Sequence, residues 1–86
     1  MEDYKMKSSQ NKDGILLQLN NEEAIVLLNW LFRFNEAENE ELFEDQAEQR
    51  VLWDIETIFE QTTSEIFDED YAKILSQARA KIRDKE

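Results

Sequence analysis

Seven carboxylates lie between Glu36 and Glu48 (Glu36, Glu38, Glu40, Glu41, Glu44, Asp45 and Glu48), with no base among them. Acids at that density could do three kinds of chemistry. Two could share acid–base work in a cleft, several could ligate a hard cation, or the whole row could attract a basic surface. The first needs an enclosed cleft, which a chain of 86 residues seldom builds. The second needs a glycine-centred loop with ligands at alternate positions. No such loop is present here, and Asp68-Glu69-Asp70 fails the same test. The third needs only a field of one sign. From Asn20 to Ala72 sixteen acids face two bases, Arg33 and Arg50, so the middle of the chain is more negative than the whole at −11. Such a field repels nucleic acid and anionic membranes and attracts basic proteins.

Composition excludes much else. The chain has no His and no Cys, which removes disulfides, thiolate or imidazole zinc sites, and the common nucleophile–base pairs. No phosphate-cradling glycine loop is present, so neither an enzyme nor a cofactor is expected. The longest apolar stretch, Ala24 to Phe34, is broken by Asn29 and Arg33 and is too short to span a membrane. The polar Met1–Gly14 segment carries no secretory signal, and the expected location is cytoplasmic.

Trp53 is the strongest single candidate for a contact residue. With Ile55 at the centre of a buried helical face, Trp53 falls about 160° away. Its neighbours there would be Gln46, Gln49, Arg50, Thr57 and Glu60. A tryptophan framed by hydrogen-bonding groups has the anatomy of a binding hot spot. The competing reading is packing against the Ile15–Leu19 segment. The acidic row has a bland reading too, as a solvated loop and helix start whose carboxylates suit the helix dipole. Lys73, Arg79, Lys81 and Arg83 form the only basic surface, expected to pair with the acidic middle of the chain.

These residues must be positioned by helices. Asn20 with Glu23 three residues on is a capping box, opening a first helix over 21–36. That helix is apolar almost all round, so it is either the centre of a bundle or a subunit interface. A second helix is expected over 42–62, with Ala47, Val51, Leu52, Ile55, Ile58 and Phe59 inward. A third is expected over 68–84, with Tyr71, Ile74, Leu75, Ala78 and Ile82 inward and Asp68 as its cap. With no Pro and one Gly, little favours a sheet. Residues 1–13 read as a flexible arm, and Ile15–Leu19 as a short strand or extended lead-in; as a strand it has no partner in this chain, so it either pairs across a dimer or lies along the bundle. The expected architecture is an all-α three-helix bundle with a disordered N-terminal arm.

The profile, short, acidic, helical and free of His and Cys, is similar to that of bacterial immunity proteins, antitoxins and phage-encoded inhibitors. The likeness is one of composition and lies in no particular stretch. It implies a small module that inhibits or regulates a basic partner, steered by Glu40, Glu41, Glu44, Asp45 and Glu48 and anchored by Trp53 and Gln49. The alternatives are a structural homodimer built on the apolar first helix, and a nucleic-acid mimic.

Overall fold

The computed structural model describes residues 6–84, with Glu65 described by its backbone only. Helix α1 (Asn21–Glu36) begins at the capping box. The Asn20 side chain accepts from the Glu23 N–H at 2.8 Å, and the Glu23 carboxylate accepts from the Asn20 N–H at 2.9 Å. Helices α2 (Gln46–Thr62) and α3 (Tyr71–Arg83) follow, each preceded by a short 3-10 turn, Glu40–Leu42 and Ser64–Phe67. Both pack on α1, and they meet each other marginally at most. The nearly all-apolar α1 is therefore the central helix.

The core is small. Ile25, Leu28 and Leu31 of α1 are buried with Leu75 and Ala78 of α3. Tyr71, Ile74 and Ile82 of α3 are half-buried beside them, all on one face. Asn29 ties the same two helices by polar contacts. It donates to the Tyr71 hydroxyl at 3.4 Å, and its Oδ1 accepts from Arg79 at 3.0 Å.

The chain is not all-α. Two strands, β1 (Lys7–Asn11) and β2 (Gly14–Gln18), pair antiparallel from Lys7↔Gln18 to Asn11↔Gly14, making a mixed, mostly helical fold. The expected disordered arm is corrected by this pairing from Lys7 onward; residues 1–5 lie outside the described part. The cause is local turn chemistry. Lys12 and Asp13 keep negative φ, the Asp13 N–H closes onto Asn11 Oδ1 at 2.8 Å, and Gly14 takes φ 143°, which a residue with a Cβ rarely adopts. The tight turn supplies the partner that Ile15–Leu19 was expected to lack. All ten strand residues are exposed, and the hairpin packs on the helices marginally at most.

Candidate functional site

α2 carries the candidate surface, and its start is fixed by its own acids. Asp45 is the N-cap, accepting from the Ala47 N–H at 2.8 Å. One turn on, Glu48 accepts from the Glu44 N–H at 3.0 Å. The acids before them do not join the helix expected from residue 42. Glu40 and Glu41 lie in the 3-10 turn, whose end at Phe43 is extended. Phe43 packs edge-on against Phe34 of α1, at 5.8 Å between ring centroids, and Phe34 stacks on Trp30 at 4.7 Å. This aromatic run anchors the acidic segment to the end of α1, where Asn39 also donates to the Phe34 carbonyl at 2.6 Å.

No residue of α2 is fully buried. Its covered stripe is Gln49, Leu52, Ile55, Glu56 and Phe59, all half-buried. Ala47, Val51 and Ile58, expected in the core, are exposed instead. A helix that packs on only one other helix covers a narrow stripe, and α3 does not close over the other flank. One polar contact crosses the seam, from the Asn35 side-chain amide to the Glu56 carboxylate.

Trp53 is 43% exposed. The covered stripe is centred away from Ile55, toward Phe59 and Leu52, so Trp53 sits on a flank about 100° from that centre rather than on the back of the helix. It borders an open depression of about 520 Å³ with Asp45, Gln46, Ala47, Gln49 and Arg50. Of the neighbours expected from the sequence, Gln46, Gln49 and Arg50 line this depression; Thr57 and Glu60 do not. A second open depression, about 410 Å³, is lined by Glu40, Phe43, Glu44, Asp45, Gln46 and Gln49. Asp45, Gln46 and Gln49 belong to both. Five of the seven predicted contact residues (Trp53, Gln49, Glu40, Glu44 and Asp45) are thus brought onto one continuous surface. Glu41 and Glu48 are exposed nearby but line neither depression.

No family model, no curated protein and no solved structure matches the chain.

The surface keeps its charge. None of the seven acids from Glu36 to Glu48 forms an ion pair with a described residue. Of the cations of α3, Lys81 pairs with Glu22 of α1 and Arg83 with Asp84, both at 3.3 Å, and Arg79 donates to Asn29. Arg50, at the rim beside Trp53, is the one base on the surface and pairs with no described carboxylate. Among the described residues, no group of three or more acids is arranged to hold a metal ion, and no helix is long and apolar enough to cross a membrane. Phe43 was missed in the sequence, although its place within a charge-dense run marked it as an anchor.

Proposed function

We propose that this protein is a small acidic protein-binding module that inhibits or regulates a basic partner protein. The observation that supports this best is the continuity of the two depressions through Asp45, Gln46 and Gln49. An acidic approach, from the 3-10 turn at Glu40–Leu42 to the Asp45 cap, leads directly onto the half-exposed tryptophan of α2. Unpaired carboxylates act over a distance and raise the rate of encounter with a basic surface. A rigid indole desolvates on contact and slows departure. The two halves of such a site therefore have separable kinetic signatures.

The test is affinity capture at low salt, identification of the retained protein, and binding kinetics with the purified pair. Trp53→Ala is expected to raise the dissociation rate with little change in association. Glu40→Lys, Glu41→Lys and Glu44→Lys together are expected to slow association and flatten its dependence on salt. Asp45 and Glu48 are left intact in that variant, because both side chains hold the start of α2. A partner bound equally well by wild type and both variants would sink the proposal.

A further inference from the structure

We propose that the N-terminal hairpin is a dimerisation element. β2 of one chain pairs antiparallel with β2 of a second copy, across a two-fold axis at Leu16, giving a four-stranded sheet in the order β1-β2-β2-β1. The first argument is that the sheet is unfinished. A two-stranded hairpin is marginal in water unless further strands or a helix cover it. Here every strand residue is exposed, and the helices cover almost none of the hairpin. Hydrogen-bonding groups alternate in direction along an antiparallel strand, so every second residue of β2 offers its N–H and C=O to a further neighbour.

The second argument is the side chains. Ile15, Leu16 and Leu17 are 70%, 67% and 59% exposed. Ile15 and Leu17 share one face of the hairpin with Gln10 and Ser8; Leu16 lies on the other with Ser9. That apolar face continues at Leu17 into a groove of about 220 Å³ that includes Leu19, Ala24, Ile58 and Phe59. The strand also lacks the charges that normally guard an open edge.

Charge decides what covers it. The helical part, residues 21–84, carries seventeen acids against six bases, so two copies repel through most of their surfaces. Residues 6–20 carry only Lys7, Lys12 and Asp13, and Gly14–Asn21 is the longest uncharged run outside the apolar stretch of α1. Two copies can meet along β2 without placing like charges opposite one another. A basic partner has no electrostatic reason to choose the part of the molecule that carries lysines. The strand is also self-complementary. With Leu16 facing Leu16, Ile15 of each chain faces Leu17 of the other, and four aliphatic side chains gather on one face.

Sedimentation equilibrium on the full chain tests this across the micromolar range. Wild type is expected at twice the 10.3 kDa chain mass. Leu16→Lys sets two ammonium groups opposite each other and should weaken the dimer about a hundredfold or more; Leu16→Glu should do the same. An equimolar mixture of the two variants should recover the dimer, since lysine then faces glutamate. Both variants are expected to keep the wild-type helical circular dichroism. A monomeric wild type, a Leu16→Lys chain that dimerises normally, or a mixture no better than its components would overturn the proposal. Loss of helical signal in either variant would overturn its premise that the hairpin stands apart from the helices.

Discussion

Helices α2 and α3 flank the same central helix but serve it differently. α3 gives α1 two buried side chains, Leu75 and Ala78, and is pinned through Asn29. α2 gives none, and leaves Val51, Trp53 and Ile58 in solvent. In a chain this short the buried area is limited, and about 60% of the unfolded surface is all that such a size covers. The division of labour puts stability on the α1–α3 seam and leaves α2 free to display. A helix bound on only one side can offer two flanks to other molecules.

The contrast can be broken or sharpened by substitution, beginning with the largest effect. Leu28 is 0% exposed, and Leu28→Ala is expected to cost about 3–5 kcal/mol, enough to remove most of the urea-resistant fold as followed by far-UV circular dichroism. The decisive pair comes next. Leu75→Ala on α3 should cost about 2–4 kcal/mol and Leu52→Ala on α2 only about half as much. Equal losses would mean that α2 contributes as much as α3, and the division would fail. Asp45→Ala removes the α2 cap and should cost about 1 kcal/mol, with helical signal lost from α2 alone by residue-resolved chemical shifts. Trp53→Ala should change the unfolding free energy least, by less than about 1 kcal/mol, because its ring is half-exposed on the flank of α2.

How much of this was legible in the sequence depended on whether the cause was local. The start of α1 was readable because Asn20 and Glu23 carry the whole cap within four residues. Asp45 and Glu48 repeat that spacing, and reading them as a cap would have placed the start of α2 at Gln46 rather than 42. The hairpin was not legible from periodicity. Lys7–Asn11 pairs through its backbone while both faces stay in solvent, so no alternation of apolar residues marks it. Its signal was the Asn11-Lys12-Asp13-Gly14 turn. The candidate surface was partly legible, since the acids and Trp53 could be chosen by type. The phase of α2 could not, because it depends on which flank α3 leaves open. Ile58 looks like core in any helical projection and is exposed only because nothing packs there.

The marginal meeting of α2 and α3 has a consequence for motion as well as for display. Since the two helices lean on α1 rather than on each other, α2 can open while the α1–α3 seam stays closed. Such a sub-global opening makes α2 its own cooperative unit, with amides that exchange with solvent faster than those of α1. A ligand seated across Trp53 and Asp45 then has something to hold shut. Its arrival would register as slowed amide exchange along the length of α2, including residues it never touches.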